Sequence, residues 1–339
     1  MFGLLGLLGV FVAGLMADAA MNGQAGDDSG DGAGDGADDA AAPDNPPDGR
    51  QPGGTGWDDP DDDDGDWDDP FAGEGMPASD DIPDPVDEDL ILQGSDRADI
   101  LNGAGGDDWI AGQAGNDALS GGQGRDRLYG GDGDDSLDAA EGDDLLVGGA
   151  GRDSLTAGAG NDVLRGGSGG DVLAGQGGND TADGGDGDDT LLGGAGDDLL
   201  DGGRGDDWVA GAEGRDTLRG GDGRDTLDGG DGNDRLDGGE GADFLNAGAG
   251  DDWLRLSGGD HATGGEGTDT FVVSGEGSVI ADFDPAQDQL FILHPEGVAP
   301  LVEVRDSGAD ALVLVDGTVA ARVMGGAGLA PGDIRTMVG

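Results

Sequence analysis

GGDGDDTLLGGAGDDLLD, running from Gly184 to Asp201, is two copies of one rule: Gly-Gly-x-Gly-x-Asp-x-U-x, with U a large aliphatic residue. The rule holds in steps of nine, without an insertion, from Gly94 to Arg255, which makes eighteen units. The sixth place is aspartate in every one of them. The eighth is Leu, Ile or Val throughout, Ala182 being the one weak member, and the fourth is glycine in every unit but the first, where Arg97 stands.

The unit has a mechanical meaning. Glycine accepts positive φ freely, so a glycine-rich hexamer can turn the chain sharply, and x-U-x is long enough for a short strand. Two units then close one coil. Side chains alternate along a strand, so Leu119, Leu128, Leu137 and Leu146 at place eight point one way. Asp138, Arg165, Asp183, Asp201 and Arg219 at place nine point the other. The pattern predicts an all-β chain built on a thin, two-layered β-roll of nine coils. Its core takes one aliphatic per unit, too little for hydrophobic burial to hold it alone.

The turns offer the missing stabiliser. A tight glycine turn aims backbone carbonyls at its concave side, and an aspartate at its end adds a hard carboxylate. Six or so oxygens at flexible geometry suit calcium, whereas magnesium demands a strict octahedron and zinc prefers nitrogen or sulfur. The chain has no cysteine, and its two histidines, His261 and His294, are far apart in sequence.

The unit resembles the nonapeptide repeat of the RTX, or hemolysin-type, calcium-binding proteins. That resemblance implies a parallel β-roll, a β-helix solenoid, with Ca2+ ions in two rows, one on each edge, held between turns two units apart. Asp99, Asp117, Asp135 and Asp153 would serve one edge, and Asp108, Asp126, Asp144 and Asp162 the other. The alternation continues through Asp171, Asp180, Asp189, Asp198, Asp207, Asp216, Asp225, Asp234, Asp243 and Asp252. Turn carbonyls, such as those of Gly121, Gly122, Gly124, Gly130, Gly131, Gly133, Gly193, Gly194 and Gly196, would complete the shells.

Some units depart from the pattern. Ala139, Ala157 and Ala247 replace the first glycine, and Ser95, Ala104, Gln113, Ala140, Gln176 and Ala212 the second. A Cβ at a left-handed position costs about 1 kcal/mol, so weaker binding is expected at those turns. The first unit carries both Ser95 and Arg97 and reads as an edge cap.

Charge agrees with a cation partner. The 339 residues hold 76 acids and 15 bases, a net charge of −61, which excludes phosphate-directed nucleic-acid binding. Between about 16 and 18 divalent ions would cancel half or more of that charge. With 79 glycines and 4% aromatics, no large globular core is expected.

Ahead of the roll, residues 1–16 are an apolar segment, with Phe2 to Met16 of signal-peptide length but no basic residue before it. A secretion signal, an N-terminal anchor and a hydrophobic start that aids docking to an export machine all fit. Residues 17–93 hold 25 acids, one base and nine of the 13 prolines, the composition of a disordered acidic linker. Trp57-Asp-Asp-Pro60 and Trp67-Asp-Asp-Pro70 read as an acidic spacer, a short docking motif or a weak calcium-collecting tract.

Behind the eighteen units the period slips by one over Leu256 to Thr263, and Gly264 to Val272 forms a last unit with Asp269 in the aspartate place. The roll is thus placed at 94–272 and a β-rich cap at 273–339. Alternating runs predict cap strands over 278–283, 289–293, 301–305, 311–315 and 318–324, with a hairpin turn at Asp316-Gly317. The phrase Val279 to Asp284, with Asp288 and Leu290, also resembles the segment that follows the repeats in RTX proteins, whose far C-terminus carries a type I export signal. Asp333 to Gly339 would be that tail.

No HExxH, GxSxG or Cys/His pair occurs, so no catalytic residue is assigned and no enzyme is expected. The expected product is a secreted or cell-surface protein, structural or adhesive, with the type I export machinery and a cell-surface or matrix polysaccharide as candidate partners. An accessory or truncated relative of an RTX enzyme or toxin, and a membrane-anchored calcium buffer, are the alternatives. Trp109, Trp208, Trp253 and Phe244 at place seven face outward, either as a sugar- or partner-binding patch or as aromatics that strands favour.

Overall fold

The computed structural model describes residues 88–297 and 300–338. The apolar segment 1–16, the acidic run to residue 87 and Gly339 lie outside them. Among the described residues the chain is all-β apart from one 3-10 turn at Pro331–Asp333.

Each unit of the roll makes one strand and one tight turn. Ser136–Glu141 is followed by Gly142, Asp143 and Asp144, and then by Leu145–Ala150. The strand is therefore longer than x-U-x: it runs through places one to three of the next unit. The place-two residue takes a positive φ inside it, 121° at Gly149 and 119° at Gly194, and the parallel ladder continues past that kink.

Successive strands alternate between two sheets, one of 13 strands and one of 14. Every rung pairs in parallel with the second unit before it and the second after it, Leu155 facing Leu137 on one side and Leu173 on the other. The solenoid has about 11 turns rather than nine. Part of the difference is at the start, where Ile91–Gln93 already pairs with Trp109–Ala114. The slip in period leaves the ladder intact, since Phe244 simply takes His261 as its partner, one place earlier than the unbroken period would set.

The core is a single file of eighth-place aliphatics from each sheet. Leu128, Leu146, Leu164, Leu200 and Leu218 have no exposed surface, and Ala182 fills its place with a shorter side chain. At the C-terminal end the file turns aromatic, with Phe271 against Phe283 at 6.0 Å between ring centroids.

The cap extends both sheets. Ser278–Ile280 and Gln289–His294 still pair in parallel. Val302–Ser307, Asp310–Val315 and Thr318–Val323 then form an antiparallel meander, whose second turn places Asp316 at φ 51° and Gly317 at φ 86°, the positive angles a two-residue hairpin requires. All five expected cap strands are present. A further one, Ile334–Val338, pairs with Gln289–His294 and closes the 13-stranded sheet; it occupies the stretch expected to be a tail.

Candidate metal centre

The sixth-place aspartates stand where strand and turn meet, and the structure buries them: the series from Asp108 to Asp252 is 0–3% exposed, as is Asp269. Their two oxygens do different things. Oδ1 accepts the backbone N–H of the aspartate one rung earlier, as Asp171 does from Asp153 at 2.8 Å and Asp189 from Asp171 at 2.7 Å. Each edge of the roll therefore carries a continuous ladder of carboxylate to N–H bonds.

Oδ2 has no partner in any unit from Asp108 to Asp252, and each is buried. In the fourteen of these units that begin with glycine, it faces that glycine. A Cβ on Gly184 would lie 2.5 Å from Asp189 Oδ2 and 2.5 Å from the carbonyl oxygen of Gly202; a Cβ on Gly166 would meet Asp171 Oδ2 and the Gly184 carbonyl at 2.5 and 2.6 Å. The missing side chain leaves a cradle into which a carboxylate oxygen and a main-chain carbonyl from the next rung both point. Hard oxygen donors without a hydrogen-bond donor to answer them are the donor set of a hard cation.

Burial raises the pKa values of these carboxyls. The carboxyls of Asp126, Asp144, Asp153, Asp162, Asp180, Asp189, Asp216, Asp243, Asp252 and Asp269 are pushed up to about 6, and that of Asp207 to about 7, from an ordinary 3.8. Desolvation is the main cause. The accepted N–H pulls the other way, and for Asp207 the like charges of Asp225 and Asp189 one rung to either side add to the rise.

The sequence-assigned turn carbonyls divide by place. Those of Gly121, Gly130 and Gly193 face the place-one cradle one rung earlier, 2.8 Å from where a Cβ on Gly103, Gly112 or Gly175 would stand. Those of Gly131, Gly124, Gly133 and Gly196 point along the roll axis at Gly149, Gly142, Gly151 and Gly214, where a Cβ would collide with them. The N–H groups of Gly133 and Gly196 donate to Ala150 and Glu213, at 2.7 and 2.8 Å. Gly122 and Gly194 hold the positive φ of place two. No group of three or more acidic or histidine side chains converges among the described residues, as expected where the main chain supplies most donors.

Asp99 differs from the rest: its Oδ2 takes hydrogen bonds from the Ser95 N–H at 2.7 Å and the Ser95 hydroxyl at 2.9 Å. The alanines correct one expectation. Ala104, Gln113, Ala140, Gln176 and Ala212 do sit at positive φ, 76° to 87°. Ala139, Ala157 and Ala247 do not; they are extended and wholly buried, because place one belongs to the strand and turns its Cβ inward. All three lie in the 14-stranded sheet.

Four groups carry roles that the nonapeptide rule does not assign. Asp260 carries the ladder across the slip, its Oδ1 accepting from Asp243 and its Oδ2 from Ser257 at 3.1 and 2.7 Å; Gly258-Gly259-Asp260 was the signal, in a unit cut short. Asp288 extends the ladder beyond Asp269 at 3.0 Å, and Asp282 caps the amides of Gly264 and Gly265. The fourth is a second ladder at place five, where Asp or Asn accepts from the rung that follows, as Asp188 does from Asp206 at 2.9 Å. The place-seven aromatics are split: Trp109 and Trp253 lie on the 13-stranded sheet, Trp208 and Phe244 on the other.

Fold and donor set together define a parallel β-roll whose repeating turns take up a hard cation. The RTX calcium-binding nonapeptide repeat (4 copies) matches residues 91–254 in overlapping windows. Those residues carry that family's repeat, and Ca2+ is the ion such repeats bind. Among solved structures the chain is similar to the extracellular lipase LipA from Serratia marcescens, at 20% identity over 67% of this chain, with a TM-score of 0.16. The match spans 42% of that lipase's length. No curated protein matches the chain. Among the described residues no helix is long and apolar enough to cross a membrane.

Proposed function

We propose that this is an exported, non-enzymatic scaffold whose roll folds when calcium arrives and which then serves a structural or adhesive role at the cell surface or outside it. The observation that carries the reading is the row of buried, unpartnered Oδ2 atoms from Asp108 to Asp252. The proposed ligands are these aspartates and Asp269, each joined by turn carbonyls of its own and the adjoining rung. Asp99, whose Oδ2 is already answered by Ser95, is the weakest of the set.

The coupling follows from electrostatics. Each edge stacks carboxylates about 4.8 Å apart, and like charges at that distance repel by about 3 kcal/mol per adjacent pair at an effective dielectric near 20. The file of leucines has to meet that repulsion as well as desolvation. Bound Ca2+ supplies the opposite charge at each cradle and turns repulsion into cohesion. Where calcium is scarce the chain stays open and threads a type I channel; at millimolar calcium, sites of roughly 10⁻⁴–10⁻³ M affinity fill and the folded roll cannot return. The RTX repeat and the absence of a catalytic motif in the sequence support this reading.

Circular dichroism during a calcium titration of the full chain tests it. Strand signal should appear cooperatively with calcium and vanish with EGTA. A spectrum indifferent to chelator would overturn it.

A further inference from the structure

The outer faces of the two sheets are unlike. Places seven and nine of the 13-stranded sheet carry five arginines: Arg127, Arg165, Arg219, Arg235 and Arg255. Two of them pair with acids one rung away, Arg219 with Asp201 at 3.4 Å and Arg255 with Asp237 at 3.0 Å. The aromatics of that face also have neighbours, although Trp109 stays 37% exposed. Trp253 lies under the Arg235 guanidinium at 3.7 Å, and Trp109 packs on Tyr129 at 5.9 Å.

The corresponding places of the 14-stranded sheet from Ile100 to Thr263 carry no arginine. There Trp208 is 39% and Phe244 60% exposed, and a groove of about 170 Å³ runs past them and His261. Polar groups stand beside the two rings: Thr226 lies on the strand between them, and the Asn246 amide donates to Asp228 at 2.8 Å. His261 extends the aromatic row, its ring 5.8 Å from Phe244.

We propose that this groove is a binding site for a neutral, extended polysaccharide, stacked on Trp208 and Phe244 and hydrogen-bonded by Asp228, Asn246 and Thr226. Three features set the ligand class. An exposed aromatic face beside fixed acceptors and donors suits a pyranose, which has an apolar ring face and an equatorial belt of hydroxyls. Trp208 and Phe244 belong to strands two rungs apart, about 9.6 Å, so they address a ring and its next-but-one neighbour. In a β-1,4-linked chain those two rings present the same face. The groove offers no arginine or lysine in a molecule of net charge −61, which disfavours polyanions. Its volume is small beside the roughly 300–1,000 Å³ of a drug-sized pocket, in keeping with a long chain gripped one ring at a time.

The proposal deepens the adhesive reading above and needs the calcium-folded roll as its platform. The test is titration calorimetry of the full chain in calcium against neutral β-1,4-linked hexasaccharides of glucose, mannose and N-acetylglucosamine, with polygalacturonate alongside. At least one neutral hexamer should bind with a change in tryptophan fluorescence. Trp208→Ala and Phe244→Ala should each weaken it tenfold or more, with calcium stoichiometry unchanged, and Trp253→Ala should leave it within twofold. A roll that folds in calcium yet binds none of the three, prefers polygalacturonate, or loses as much with Trp253→Ala overturns the groove and leaves the calcium reading standing. Binding that persists in EGTA with an unchanged strand signal overturns the calcium reading alone.

Discussion

Asp207 separates the two jobs that each repeat aspartate performs. Its Oδ1 accepts the Asp189 N–H at 2.8 Å, and its Oδ2 is buried without a partner. Asp207→Asn keeps a carbonyl oxygen for that N–H and removes the charge; Asp207→Ala removes both. A buried N–H left unsatisfied costs about 1–3 kcal/mol. For a roll of this size that is about 2–12 °C in melting temperature. In saturating calcium both variants should bind fewer ions than the parent, and the alanine variant should melt about 2–12 °C below the asparagine one. Calorimetry gives the stoichiometry and thermal dichroism the melting points. An asparagine variant with the full complement of ions would show that Oδ2 is not a ligand, and equal melting points would show that the Oδ1 ladder contributes nothing.

Four more outcomes are expected. Because the folded carboxyls titrate near 6 and the unfolded ones near 3.8, the folded chain holds more protons between those values. Without calcium the roll therefore loses stability as pH rises from about 4 to 6, and an EGTA-treated sample should regain strand signal on acidification; a fixed spectrum across that range would contradict the assignment. With calcium the sign reverses, and the apparent affinity measured by a calcium electrode should fall as pH drops through 6. Gly196→Ala, at φ 135° with the Gly178 carbonyl where its Cβ must go, should cost about 2–5 kcal/mol; Gly194→Ala at place two also meets a carbonyl, that of Gln176, but Ala104 and Ala212 show that this place can relax to φ 76–87°, so it should cost about 1–2 kcal/mol in the same melts. Ala182→Leu, which restores the leucine file between Leu164 and Leu200, should stabilise by about 0.5–2 kcal/mol; a lower melting point would mean the file has no room there.

The period exposed much of this in advance, because a solenoid repeats its local physics. Once Leu119 and Leu128 face inward, so do their equivalents, and Asp316-Gly317 announces its own hairpin. What escaped was whatever depends on a neighbour two units along the chain. Nothing local says that the place-one glycine is extended and exists to make room for a carboxylate, so the linear pattern groups Ala139 with Ala140 although the two occupy opposite conformations. Asp260 was hidden by the slip in frame. The four outward aromatics looked equivalent in the linear text, and only the assignment of alternate strands to different sheets separated Trp208 from Trp253.

Each rung of the roll touches the unit two before it and the unit two after it, and the cap rests on the last pair alone. A gene that gained or lost one nonapeptide by replication slippage would exchange which sheet every upstream strand joins. The cap would still meet the same two neighbours. Length in this protein is therefore a quantity that heredity can adjust by small increments without redesigning either end, provided the inserted segment keeps its aspartate in step.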